Sequence, residues 1–285
     1  MRERKKMLVT GASGFLGSRT LSFYQEKYEV YAPTHREMDI TERDSVESVF
    51  EKFQPDYAVH CAAVSDIGAC AEAPELSWKI NVDGSRNLAE ISARYGTKCI
   101  LSSSDQVYLG STAQEPHRED EALRPQNLYG REKKQAEEDC LQVNPDCVLL
   151  RLSWMYDVRT IREQEHGDFF RGLAPKVEAG ETLEYPVHDM RGITDVNEVV
   201  SNLEKAFSLK GGVYNFGSPN DRNMYETVLA LFRALEWDTE RLIRNEELYA
   251  SEPRNLCMNL RKAQENGISF LPTVEALIRN GRIRF

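Results

Sequence analysis

The sequence has no apolar run approaching the ~20 residues that a membrane helix needs. Its basic start, Met1 to Lys6, is followed by Met7-Leu-Val-Thr-Gly-Ala-Ser-Gly14, too short and too glycine-rich for the apolar part of a secretion signal. Net positive charge is also lacking, since 36 Lys and Arg stand against 46 Asp and Glu, a balance of −10. That acidity, with a pI near 5.2, excludes an electrostatic footprint for nucleic acid or an anionic membrane surface. An anionic ligand would need a local pocket working against the global field. The cysteines at 61, 70, 99, 140, 147 and 257 form no C-x-x-C pair and read as reduced, mostly buried thiols of a cytoplasmic protein. The histidines at 35, 60, 117, 166 and 188 show no ligand spacing, so no metal site is expected.

What is present is an ordinary soluble globular composition, 41% hydrophobic and 29% charged over 285 residues, enough for roughly two domains. Short apolar runs alternate with amphipathic stretches. Strands are expected at 6–10, 29–32, 57–61, 98–102 and 147–152. Helices are expected at 14–26, from an N-capping Thr41 to 53, at 74–95 and at 128–143. This alternation predicts an α/β fold, a doubly wound parallel sheet of the Rossmann type with a smaller C-terminal substrate-binding lobe. The dinucleotide-binding domain is drawn at 1–153 together with 194–217, and the lobe at 154–193 and 218–285. Residues 103–127 read as a long functional loop. The charged run 137–139 reads as a solvated helix face.

Gly11-Ala-Ser13-Gly14-Phe15-Leu16-Gly17 directly follows the first strand and opens a helix. Such a loop allows a tight turn, close backbone approach to a pyrophosphate and close helix packing, with the phosphates at the helix N-terminus. The second strand ends in Ala32-Pro33-Thr34-His35-Arg36 rather than in a carboxylate, and His35 and Arg36 could meet a 2′-phosphate. NADP(H) is therefore expected over NAD(H). Asp39 and Ile40 are candidates for the adenine.

Among twelve tyrosines, only Tyr129 has a lysine four residues later, Lys133. The spacing puts both on one helix face, where an ammonium is expected to lower the phenol's pKa for proton transfer to a carbonyl oxygen. Ser104, with Ser103 second, follows the end of the fourth strand, where such sheets bind ligands, and its hydroxyl could hydrogen-bond a substrate carbonyl.

Together these motifs resemble the extended short-chain dehydrogenase/reductase family. The likeness also includes His60-Cys-Ala62-Ala63, Asn81-Val-x-Gly84 and Arg151-Leu-Ser-Trp154-Met-Tyr156. Within the family the chain is most similar to the dTDP-4-dehydrorhamnose reductase group. The resemblance implies Ser104, Tyr129 and Lys133 as catalytic residues, with Lys133 also on the nicotinamide ribose. It implies Ala62, Ala63 and Asn81 at the cofactor, and Ser103, Asp105, Gln106 and Trp154 at a nucleotide-sugar or other small carbonyl substrate. The activity implied is NADPH-dependent reduction of a 4-keto deoxysugar. Asp105-Gln106 departs from the Asp-Glu pair of sugar-nucleotide dehydratases, which argues against elimination chemistry. The stretch His188 to Thr194 departs from the reductases on the substrate side. Two alternatives stay open, an NAD(P)-dependent epimerase or dehydrogenase of another substrate and a non-catalytic NADP-binding regulatory subunit. Dimers are common in the family, and the sequence leaves oligomeric state undecided.

Overall fold

The computed structural model describes residues 4–159 and 168–284. Residues 1–3 of the basic start and His166 lie outside the described residues. In chain order, the first half runs β1 (Lys6–Thr10), α1 (Phe15–Tyr24), β2 (Glu29–Tyr31), α2 (Arg43–Phe53), β3 (Tyr57–His60), α3 (Ile67–Glu72) and α4 (Pro74–Trp78). A π-helical turn, Lys79–Gly84, leads into α5 (Ser85–Tyr95). Then follow β4 (Lys98–Ser104), a 3₁₀ turn (Asp105–Tyr108), α6 (Leu128–Val143) and β5 (Val148–Leu152). The second half runs β6 (Trp154–Tyr156), α7 (Phe169–Glu178), β7 (Leu183–Pro186), β8 (Asp189–Arg191), β9 (Ile193–Asp195), α8 (Val196–Ala206) and β10 (Gly212–Phe216). It ends with α9 (Met224–Ala234), β11 (Leu242–Asn245), β12 (Arg254–Leu256), α10 (Arg261–Gln264) and α11 (Thr273–Arg284).

Six parallel strands form the central sheet in the order β2-β1-β3-β4-β5-β10. Alternate strand residues face opposite sides, so two apolar layers form from one set of strands. Met7, Val9, Val59, Ile100, Val148 and Leu150 pack with Tyr24 of α1 and Val196, Val199 and Leu203 of α8. Leu8, Ala58, Cys99, Leu101 and Leu149 pack with Val46 and Phe50 of α2, Leu88 and Ile91 of α5 and Cys140 of α6. Helices therefore cover both faces, a Rossmann-type α/β architecture. Chain direction across the sheet reverses between β1 and β3, and ligands bind such sheets in the crevice at that point.

Beyond β5, the pairs β6–β9, β7–β11 and β8–β12 build small parallel ladders beside a third apolar cluster, which includes Phe169, Phe170, Leu231 and Leu277. No described helix is long and apolar enough to cross a membrane.

Four local expectations are corrected. The N-cap of α2 is Glu42, because the Thr41 hydroxyl donates to Asp39 Oδ1 at 2.8 Å. The helix expected at 74–95 contains the π-helical turn. β4 runs two residues further than expected, so Ser103 and Ser104 lie on a strand instead of in a loop. Glu137 is buried rather than solvated, in an ion pair with the buried Arg151 of β5 at 2.6 Å.

Candidate active site

Two cavities meet at the carboxyl ends of β1, β3 and β4. One, of about 510 Å³, is lined by Gly11, Ala12, Ser13, Gly14, Ala32, Pro33, His35, Asp39, Ile40, Ala62, Ala63 and Val64, among others. The other, of about 540 Å³, shares Gly14, Cys61 and Ala63 with it. It adds Phe15, Leu16, Ser102–Gln106, Tyr129, Lys133, Trp154, Asp168 and Arg191.

The glycine loop makes the junction. Gly11 has φ +66°, and a Cβ there would stand 2.5 Å from the Ala62 nitrogen. A Cβ on Gly17 would stand 2.2 Å from the Gly11 carbonyl oxygen, so its absence lets α1 seat against the loop. Gly17 thus shapes the cradle without lining either cavity. The Gly14 N–H donates to the Gly11 carbonyl at 2.8 Å, closing the turn. A cradle that a Cβ would fill, continuous with two cavities across the sheet, fits a dinucleotide.

Arg36 is exposed and is not among the lining residues, unlike its neighbour His35. His35 Nε2 lies 3.9 Å from Asp39 Oδ2. Asn81 also stands off the wall. It is fully buried behind it, its Oδ1 accepting from the Val64 N–H and its Nδ2 donating to the Val64 carbonyl, each at 2.9 Å.

Tyr129, Lys133 and Ser104 come together on the wall of the larger cavity. Asn127 caps α6 by accepting from the Gly130 N–H at 2.6 Å, and its Nδ2 donates to Gln106 Oε1 at 2.9 Å. Both ends of the segment 103–127 are thereby pinned beside the cavity. Ser104 stands beside Tyr129 on this wall, its Oγ donating to Asp105 Oδ1 at 3.4 Å and accepting from the Gln106 N–H at 3.2 Å. Lys133 Nζ donates to the Ser102 carbonyl at 3.0 Å and lies 5.6 Å from the Tyr129 ring centre.

Burial holds the Tyr129 phenol well above its ordinary pKa, and the neighbouring Ser104 hydroxyl opposes this. The expected lowering by Lys133 is therefore corrected. Desolvation dominates at the phenol, while it pulls Lys133 itself down to about 8. Ser103 donates to Glu137 Oε1 at 2.6 Å, which engages its hydroxyl away from the cavity. Ser104 is the serine left facing Tyr129.

Next to Ser104, Asp105 Oδ2 is buried without a hydrogen-bond partner among the described residues, and burial raises its carboxyl pKa. Gln106 and Trp154 line the same region. Arg191 was not singled out by the sequence reasoning beyond its place in the divergent stretch 188–194. Its guanidinium lies 5.3 Å from the Trp154 ring, and its buried Nε has no hydrogen-bond partner among the described residues. The chain offers no local signal for it, because β8 brings it in from the second half.

The RmlD substrate binding domain model matches residues 5–280. The chain is 26% identical over 281 residues to a dTDP-4-dehydrorhamnose reductase of Aggregatibacter actinomycetemcomitans, covering 91% of this chain and 92% of that one. It is 27% identical over 280 residues to methionine adenosyltransferase 2 subunit beta of Xenopus laevis, covering 93% and 83%. The fold matches the crystal structure of dTDP-4-dehydrorhamnose reductase from Bacillus anthracis str. Ames in complex with NADP, with TM-score 0.86, 22% identity and 99% of each chain covered. Glycine cradle, two-part cavity and family model converge: the chain belongs to the RmlD substrate binding domain family of NAD(P)-dependent oxidoreductases, within the extended short-chain dehydrogenases/reductases.

Proposed function

We propose that the protein is an NADPH-dependent reductase of the 4-keto group of a nucleotide-linked deoxysugar, acting on a dTDP-4-dehydrorhamnose-like substrate. The observation that carries this is the meeting of Ser104, Tyr129 and Lys133 on one cavity wall, continuous with the glycine cradle. The nicotinamide cofactor supplies the hydride when bound.

Gly11, Ser13 and Gly14, with the N-terminus of α1, would hold its pyrophosphate. Asp39, Ile40 and Ala62 would face its adenosine half, and Ala63, Phe15 and Leu16 the junction. Lys133 would hold the nicotinamide ribose. Ser104 donates a hydrogen bond to the substrate carbonyl oxygen, and Tyr129 gives its phenolic proton to that oxygen as negative charge develops there. A phenol held above its ordinary pKa stays protonated at neutral pH, as a proton donor needs. Asp105, Gln106, Trp154 and Arg191 would face the sugar and its substituents. The preference for NADP(H) rests on His35 at the cavity wall and on Ala32 and Pro33, rather than a carboxylate, at the end of β2. On this reading the protein works in the cytoplasm on a small nucleotide sugar.

The test follows NADPH oxidation on a dTDP-4-keto-6-deoxysugar made in situ, with NADH in parallel. Turnover is expected, faster with NADPH, and Tyr129→Phe should lower kcat about 10²–10⁴-fold. Normal turnover by Tyr129→Phe would refute the role. The similarity to methionine adenosyltransferase 2 subunit beta supports a second reading, a regulatory NADP-binding subunit. Tight NADPH binding without turnover, together with a stable complex with a methionine adenosyltransferase, would favour it.

A further inference from the structure

Glu132 precedes Lys133 on α6 and is fully buried, yet it is absent from both cavity walls. Nothing in the carbonyl chemistry above needs a carboxylate there. Its Oε2 accepts two hydrogen bonds at 2.7 Å, from Ser77 Oγ and from Asn81 Nδ2. Its Oε1 is buried with no hydrogen-bond partner among the described residues.

The orientation of the Asn81 amide is fixed by Val64, whose N–H and carbonyl it binds at the same time. Asn81 therefore turns N–H toward Glu132. It also donates to Ser77 Oγ at 3.3 Å, which leaves the Ser77 hydroxyl to donate to Glu132. Both neighbours donate to the same carboxylate oxygen. Two donors converging on one carboxylate oxygen favour negative charge there. Isolated charge in such a place is costly, and Lys133, the next residue on α6, is a buried cation whose pKa Glu132 raises.

The other titratable groups around this pair are Asp66 and Cys70 at α3, His60 and Cys61 at the end of β3, Asp105 after β4, and Tyr129 and Cys140 on α6. Burial pushes the thiols of Cys61, Cys70 and Cys140 up, and pulls His60 down to about 3. These thiols and His60 are thus neutral near pH 7. Glu132, by contrast, is a carboxylate that raises the Lys133 pKa against burial.

We propose that Glu132 is a positioning residue of this site. Its carboxylate braces Asn81, and through it the Val64 peptide on the cofactor cavity wall, while its charge keeps Lys133 protonated. The inference rests on the roles assigned to Lys133 and Tyr129 above. Its negative charge also holds the Tyr129 proton on. Both effects push the same way, extending the proton-donating form of the site to higher pH.

The test measures the NADPH dissociation constant from pH 6 to 10 by fluorescence titration, and kcat over the same range, in wild type, Glu132→Gln, Glu132→Asp and Ser77→Ala. Glu132→Gln keeps an acceptor for Ser77 and Asn81 but loses the charge. Its affinity at pH 6 is expected near wild type, and the alkaline limbs of both profiles should move about one unit lower. Ser77→Ala and Glu132→Asp keep the charge and should leave the limbs in place, the Asp variant with weaker binding at every pH. Unmoved limbs in Glu132→Gln, or a loss equal at every pH, would overturn the proposal. If Glu132→Gln does not fold, a limb that moves in Glu132→Asp overturns it as well. If wild type turns over no carbonyl substrate, the function proposed above fails, while the binding profile still decides Glu132.

Discussion

The buried pair of Glu137 and Arg151 shows what single residues contribute away from the chemistry. Arg151 Nε and Nη2 donate to the two carboxylate oxygens at 2.9 and 2.6 Å, and its Nη1 donates to the Tyr108 hydroxyl at 2.7 Å. The same carboxylate accepts from Ser103, next to Ser104. Replacing one partner of such a pair leaves the other charge buried and uncompensated. Glu137→Ala should therefore destabilise the fold by about 3–5 kcal/mol in urea unfolding. A loss under 1 kcal/mol would mean that water or another group takes over the Arg151 charge. The sequence hid this pair inside an acidic run. A run of charges reveals nothing of which member turns inward, since that depends on a strand passing behind the helix. The Tyr129 and Lys133 pair was legible for the opposite reason: an i, i+4 relation is set by the helix itself.

At the scale of elements, the loop from β1 into α1 was readable in full, because every constraint on it is local. Gly17→Ala places a methyl carbon against backbone, which cannot swing aside as a side chain would. Overpacking of this kind costs about 1–3 kcal/mol, and here it also displaces the cradle. A lower melting temperature together with a clear loss of NADPH affinity is the expected result, read by thermal shift with and without NADPH. Unchanged affinity would separate α1 seating from cofactor binding. The π-helical turn at Lys79–Gly84 was not readable, since its residues fit an ordinary helix. It sits where Asn81 reaches the Val64 peptide, and π-turns inside helices are frequent at functional sites. The segment 103–127 was legible as unusual, but not that its two ends would be tied by Asn127 and Gln106.

For the whole molecule, His60 ties the central sheet to pH. Its Nδ1 lies 2.7 Å from Thr10 Oγ1 and its Nε2 3.1 Å from Ser85 Oγ, which joins β1, β3 and α5 beneath the cofactor cavity. Burial lowers its pKa to about 3, against an ordinary value near 6.5 for a histidine. Between these values the unfolded chain binds the extra proton, so stability is complete above pH 6.5 and falls as pH drops toward 3. This one group should remove about 2–3 kcal/mol between pH 6.5 and 4.5, and His60→Gln should flatten that part of the curve. Denaturant unfolding across the range checks it; an equal slope in both proteins would assign the acid response elsewhere.

The sequence by itself determined the α/β class, the glycine cradle after the first strand, and the spacing of Tyr129 and Lys133. These depend on periodicity and on neighbours within a few residues. Only the tertiary structure decided that Ser103 turns to Glu137 while Ser104 faces Tyr129, that Arg36 and Asn81 stand off the cavity walls, and that Arg191 enters from the second half. It also decided the protonation of the site, since desolvation, not the neighbouring ammonium, governs the Tyr129 phenol. Burial and long-range partners are properties of packed layers, and no local pattern carries them.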